Sequence, residues 1–295
     1  MLRATSADRL ALGSAQFGAV YGIANSVGQV PIFEIEKMIR YAREAGLDTI
    51  DTAISYGDSE DRLGDVGVSG WKVVTKLPAM PESAIAATWV SSQVKGSMKR
   101  LNVSCLYGVL LHHPGDLLGV QGSAIFEALE ALQREGLVEK IGISAYGPDE
   151  VEAVTTRFPI NIVQAPLNII DRRVQESGCL ANLDRKGIEF HARSIFLQGL
   201  LLMNKSDLPS QFEKWAALWA GWHGWLRHSR LTPLTASLSF VASDARVKRL
   251  VLGVDNFVQL TQVIRAFNDL AEVEFPYELA SADIDLVNPS RWQES

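Results

Sequence analysis

Four side chains suited to proton transfer stand at the ends of apolar runs in the first half of this 295-residue chain. Asp51 closes the run 49–51, and Tyr56 follows five residues later. Lys76 falls near the end of Val73-Val74-Thr75-Lys76-Leu77, and His112 ends Val109-Leu110-Leu111-His112. A phenol titrates at about 10 and so keeps its proton in neutral water. An ammonium within hydrogen-bond reach favours the phenolate and makes the phenol a more competent acid near neutrality. A lysine withdrawn from water needs a counter-charge, which Asp51 can supply. An imidazole can orient and help polarise a carbonyl. Together these are the parts needed to protonate a carbonyl oxygen. No activated serine or cysteine stands near them to attack the carbonyl carbon, so the natural reductant is a cofactor hydride. Taken singly, Asp51 reads as a turn or helix-capping residue, Tyr56 as a rim aromatic and Lys76 as a solvated strand end. Their joint placement favours the chemical reading.

Something must bring the four together. Short β-type runs at 9–14, 49–51, 72–77, 107–112, 139–144, 160–165, 189–194 and 249–254 alternate with helical patterns. Most of the runs are near-continuously apolar, as parallel strands buried on both faces are. Ile35, Met38, Ile39 and Ala42 recur at helical spacing before Gly46. Ala124, Leu129 and Leu132 do so before Gly136, and Arg185-Lys186-Gly187-Ile188 repeats the ending. A glycine there accepts a left-handed helix cap at little cost. Eight such units predict an α/β chain folded as one (β/α)8 TIM barrel. An open doubly wound sheet is the alternative, but no Gly-x-Gly-x-x-Gly follows the first strand; Gly13-Ser14-Ala15-Gln16-Phe17-Gly18 has other spacing. Barrel sites lie at the C-terminal strand ends, so three adjacent strands deliver the four groups to one side of the mouth.

Composition narrows the rest. With 47% hydrophobic and 21% charged residues, the composition is ordinary for a globular protein, and the net charge of -6 argues against nucleic acid or an anionic membrane surface as the main partner. No apolar stretch approaches the ~18 residues of a membrane span, and the opening residues lack the apolar core of a signal peptide. Cys105 and Cys179 make neither a disulfide framework nor a zinc site. These features predict a cytoplasmic protein, one domain over 1–295 with a helical segment from about residue 273, monomeric or weakly homo-oligomeric. The acidic set Asp58, Glu60 and Asp61 reads as a helix start. Asp171-Arg172-Arg173 reads as an ion-pair turn or an anion contact. Trp215, Trp219 and Trp222 share one helix face, which either packs on the barrel or forms an oligomer contact or lid.

Asp51-Thr52-Ala53…Tyr56-Gly57, followed by Ser59-Glu60…Leu63-Gly64, resembles the signature of the aldo-keto reductase family. So do Thr75-Lys76, Leu111-His112-His113-Pro114 and Ile141-Gly142-Ile143-Ser144, and the resemblance runs from about Leu10 to about Phe267. It implies a (β/α)8 barrel that reduces aldehydes or ketones, with Tyr56 as general acid, Lys76 and Asp51 tuning it, and His112 orienting the carbonyl. It implies NADPH as cofactor, with NADH possible. Ser144 and Gln164 would hold the nicotinamide carboxamide. Arg193, Ser194, Leu197 and Gly199 fall in the loop beneath nicotinamide and pyrophosphate, and Gly253, Asp255 and Gln259 at the adenosine end. Phe17, Tyr21 and His113 are expected to line the pocket for a small carbonyl or sugar substrate, with no metal. Gln16-Phe17-Gly18…Tyr21-Gly22, with Gln164…Asn168…Asp171-Arg172-Arg173, resembles a bacterial branch associated with sugar metabolism.

Three positions depart from the family pattern. Ala145 stands where asparagine is common, Arg193 where a tyrosine stacks on the nicotinamide, and no Lys or Arg lies between Gly253 and Ile264. Asp255 would repel a 2′-phosphate there. Two readings compete with the reductase: a nucleotide-binding sensor barrel, and a metal-dependent hydrolase using His112, His113 and Asp116. The second is awkward, because adjacent residues on an extended segment point to opposite faces.

Overall fold

The apolar runs fold as eight parallel strands: β1 (Leu10–Gly13), β2 (Thr49–Asp51), β3 (Lys72–Leu77), β4 (Leu106–Leu111), β5 (Val138–Ser144), β6 (Ile162–Pro166), β7 (Glu189–Arg193) and β8 (Val247–Leu252). They pair in chain order, and β8 returns to β1 with Leu10 opposite Leu250, so the sheet closes on itself and leaves no edge. The computed structural model describes residues 7–25 and 27–292; the chain-start stretch and the last three residues of the expected 1–295 unit lie outside it. The helices between strands include α1 (Ile32–Glu44), α2 (Ser59–Val66), α3 (Ala86–Leu101), α4 (Gly122–Arg134), α5 (Pro148–Thr155), α6 (Cys179–Arg185), α7 (Ala216–Ser229) and α8 (Pro233–Ser243). A last long helix, α9 (Phe257–Asn268), follows β8. The architecture is the (β/α)8 barrel.

The local reasons are visible. Strands β1, β4 and β6 are buried along their whole length, which is why their sequences are apolar without alternation. Helix α1 buries Ile35, Met38, Ile39 and Ala42, the stripe its spacing predicts. The three glycine endings close the same way. Gly46, Gly136 and Gly187 have positive φ, and the next amide reaches back five residues: Leu47 to Ala42, Leu137 to Leu132, Ile188 to Leu183. Helix α3 ends on the same bond pattern with Asn102 in the left-handed position.

Several sequence expectations need correction. The final strand lies two residues earlier than 249–254, because Gly253 and Val254 already belong to the loop beyond β8. The segment from about 273 is no continuous helix. It holds three short turns, Tyr277–Leu279, Ile284–Val287 and Pro289–Arg291, separated by extended residues; Pro276 and Pro289 interrupt it. It is nonetheless tied down, through buried Leu279, Leu286 and Val287 and the bond from Ser281 N–H to Ile170 O. Arg173 pairs with Asp171 through two 2.8 Å bonds, while buried Arg172 donates to the Ile169 and Pro276 carbonyls; the pair is structural. On α7, Trp219 and Trp222 are buried and Trp225 stacks on Trp222, so this face packs inward.

Glu60 does more than open α2. It is 2% exposed and accepts hydrogen bonds from Thr75 Oγ1 and Ser97 Oγ, both at 2.6 Å, and from Arg100 Nε and Nη2 at 2.8 and 2.6 Å. One carboxylate thus pins α2 to β3 and α3. The half-exposed Arg100 lowers the stake relative to a fully buried pair. Glu60→Ala should therefore destabilise the fold by about 2–3 kcal/mol in urea unfolding; a loss under about 0.5 kcal/mol would show that the cluster holds nothing.

Candidate active site

Strand register sets the polar floor of the barrel mouth. Lys76 lies level with Leu110 and Ser144 with Gln164. Asp51 is the last residue of β2, and the Lys76 ammonium reaches it at 2.6 Å and the Thr52 carbonyl at 2.9 Å. Lys76 is 1% exposed and Asp51 4%. Gln164 Nε2 donates to the other Asp51 oxygen at 2.6 Å, and Ser144 Oγ donates to Gln164 Oε1 at 3.3 Å. One chain of hydrogen bonds therefore runs from Ser144 through Gln164 and Asp51 to Lys76.

Tyr56 sits over this floor. Its ring lies 5.0 Å from the Lys76 ammonium, measured to the centroid, and packs edge-on to His112 with centroids 5.9 Å apart. Sequence explains the placement. Gly18 and Gly57 bring two loops together backbone against backbone. A Cβ on Gly18 would fall 1.7 Å from the Tyr56 carbonyl oxygen, and one on Gly57 2.1 Å from the Gly18 oxygen. Ser59 Oγ then ties the loop to Ser14, 2.8 Å from its hydroxyl and 3.0 Å from its carbonyl.

Charge is arranged to match. Burial alone would push the Lys76 amine down, but Asp51 and then Tyr56 outweigh it and hold its pKa above the ordinary lysine value. Burial, reinforced by Lys76, Arg193 and His113, lowers His112 to about 3. Its Nδ1 lies 3.2 Å from Ser55 Oγ. Burial pushes Asp255 up.

A cavity of about 620 Å³ extends from Tyr56 and His112 to Asp255 and Gln259. Asp51, Tyr21, Ser144, Gln164, Arg193, Ser194, Gly199 and Gly253 also line it. Lys76 lies beneath the floor. Besides Lys76, three expected site residues do not face the cavity. Phe17 is fully buried in the main core, because the one-turn helix Ala15–Gly18 turns its ring inward. Leu197 is likewise buried in the core, within the tight turn after β7. His113 is exposed and does not line the cavity, although its ring centroid lies 6.1 Å from that of His112. Among the described residues no group of three or more His, Cys, Asp or Glu side chains is placed to hold a metal ion. Asp116 instead accepts from the Met80 N–H.

Other wall residues escape a reading from strand ends alone. Tyr146, two residues beyond Ser144, carries the Arg193 guanidinium 4.5 Å from its ring centroid. Arg193 also donates to the Ala145 carbonyl at 2.9 Å and to Ser194 Oγ at 3.3 Å. The position just past β5 was the available signal for Tyr146. Gln16 packs on Gly253, and Gln198 Nε2 approaches Tyr21 Oη at 3.4 Å.

The loop after β7 is tightly wound. Ser194, Leu197, Gln198 and Gly199 all have positive φ, three of them in residues that adopt it at a cost of about 1–3 kcal/mol each. The Leu197 and Gly199 amides close this turn on the Ser194 and Phe196 carbonyls, both at 2.9 Å.

A model described as the Aldo/keto reductase family matches residues 9–277. The chain is 26% identical over 154 residues to aldo-keto reductase YhdN of Bacillus subtilis, covering 47% of this chain and 45% of that protein. It is 24% identical over 200 residues to the chloroplastic pyridoxal reductase of Arabidopsis thaliana, covering 60% and 54%. The matches thus span about half the length of these curated relatives. In fold it is similar to an aldo-keto reductase from Bacillus halodurans solved in holo form, with TM-score 0.73 and 19% identity over 96% of this chain and 95% of that one.

The His112 environment gives a direct test. Its pKa of about 3 means the ring stays neutral through the physiological range. The unfolded ring takes a proton below about 6.5 and the folded one does not, so this residue makes the fold less stable as pH falls from about 6.5 toward 3. Its ring resonances should be flat from pH 8 to 5 by NMR. A midpoint near the free-histidine value would contradict the burial argument.

Proposed function

The chain belongs to the aldo-keto reductase family, and from that premise we propose that it reduces the carbonyl group of an aldehyde or ketone with NAD(P)H. The reverse oxidation of an alcohol or sugar hydroxyl uses the same groups. One observation carries the reading: a tyrosine ring set between a buried ammonium and a neutral imidazole, on the wall of a cavity large enough for a dinucleotide.

The bound nicotinamide would supply the hydride. The remaining work falls to the chain. Tyr56 donates its proton to the substrate oxygen as general acid. Lys76, kept charged by Asp51, stabilises the phenolate left behind. In the tautomer that carries its hydrogen on Nε2, His112 accepts from Ser55 Oγ at Nδ1 and can donate to the same carbonyl oxygen. Ser144 and Gln164 would hold the carboxamide and so fix which ring face meets the substrate. Gln164 already bonds Asp51, so the carboxamide site and the ion pair share one hydrogen-bond chain. Ser194 and Gly199 stand on the wall where the pyrophosphate would lie, and Arg193 would stand beside the nicotinamide. Tyr21 lines the substrate side. The substrate is a small carbonyl compound or sugar.

Tyr56→Phe should lower turnover of a reactive aldehyde by at least about a hundredfold while leaving nucleotide affinity within about twofold in a fluorescence titration. Retained turnover would mean the proton comes from elsewhere. Tight nucleotide binding by the native protein with no turnover of any aldehyde in a broad panel would favour the sensor instead.

A further inference from the structure

Placing the nicotinamide beside Tyr56 sends the adenosine half to the far end of the cavity, lined by Asp255, Gln259 and Gln262; the inference therefore rests on the reading above. Helix α9 starts here, and an open helix N-terminus would welcome a phosphate. This one is already occupied by the protein's own groups. Asn256 Oδ1 accepts from the Gln259 N–H at 2.9 Å, and Glu34 Oε2 from the Phe257 N–H at 2.9 Å. Gln259 Oε1 accepts from the Asp255 N–H at 2.8 Å. Glu34 is thus a resident anion at the helix start. The backbone bond to Phe257, then Lys37 at 3.1 Å, hold its carboxyl below the usual range.

Asp255 adds a second carboxylate in the cavity wall itself. Gln259 Nε2 reaches its Oδ2 at 3.3 Å and so fixes its orientation. Three cations on the neighbouring elements are committed or turned away. Arg249 is 3% exposed and bonds Thr49 Oγ1 and Asp48. Lys37 pairs with Glu34. Arg265 is exposed on α9 and does not line the cavity. Among the described residues, the one Lys or Arg on the cavity wall is Arg193, at the nicotinamide end.

We propose that this chain selects NAD(H) over NADP(H). Asp255, held by Gln259, accepts a hydrogen bond from the adenosine ribose 2′-hydroxyl, the task a carboxylate performs in other NAD sites. The same carboxylate repels a 2′-phosphate, which carries close to two negative charges near neutrality. Glu34 denies that phosphate the helix N-terminus.

The test is a binding titration of NADH and of NADPH, without carbonyl substrate, at pH 8 and low salt. NADH should bind at least about tenfold more tightly, and the gap should narrow in high salt, where charge repulsion is screened. Asp255→Asn should shrink the gap mainly by tightening NADPH, and Glu34→Gln should shrink it further. Equal or tighter NADPH binding by the native protein would overturn the inference and leave the reductase reading intact. Failure to bind either nucleotide would overturn both. An Asp255→Asn protein that folds, by circular dichroism, yet keeps the native ratio would overturn the role given to Asp255. If that variant does not fold, the native ratio and its salt dependence still decide.

Discussion

The structure depends on a buried charge: a lysine ammonium 1% exposed, facing a carboxylate 2.6 Å away. Withdrawing two such ions from water costs several kcal/mol each, so the site persists only where geometry and hydrogen bonds compensate. The compensation is distributed over three strands. β2 supplies Asp51 and its neighbour Thr52 the carbonyl; β3 supplies Lys76; β6 supplies Gln164 to occupy the second carboxylate oxygen. A closed barrel holds these side chains at fixed register, as a loop could not. Tyr56 is brought over the ammonium by a loop pressed against its neighbour through Gly18 and Gly57, and the proposed acid chemistry follows from that contact.

Much of this was legible in the sequence because it is local. The continuous apolar runs and glycine-ended helices gave the strand count and the barrel, since period and cap chemistry are short-range. The four polar groups were found because each sits at or just beyond a strand end. What local pattern could not reveal was direction. Phe17 and Tyr21 follow the same strand, yet a single helical turn sends one ring into the core and leaves the other in the cavity. His112 and His113 keep their rings 6.1 Å apart, yet only the first lines the cavity. Glu60 looked like an ordinary acid at a helix start, and only the packing of α2 against β3 and α3 turns it into a buried anchor. Tyr146 was missed because its partner, Arg193, comes from a different strand.

The cavity is electrically uneven. Arg193 stands at the end with the phenol and imidazole, stacked on Tyr146 in place of the aromatic expected to lie on the nicotinamide. Carboxylates gather at the other end, around the start of α9. The strained loop from Ser194 to Gly199 joins the two. Departures from the family pattern therefore cluster where a cofactor is proposed to touch, while the acid and its support keep the family residues.

The most direct test of the central claim is a double-mutant cycle on single-turnover reduction, with Tyr56→Phe, Lys76→Met and the double variant. If the ammonium acts only through the phenol, the double variant should fall within about threefold of Tyr56→Phe alone. Losses that multiply, so that removing Lys76 costs as much without the hydroxyl as with it, would contradict the account.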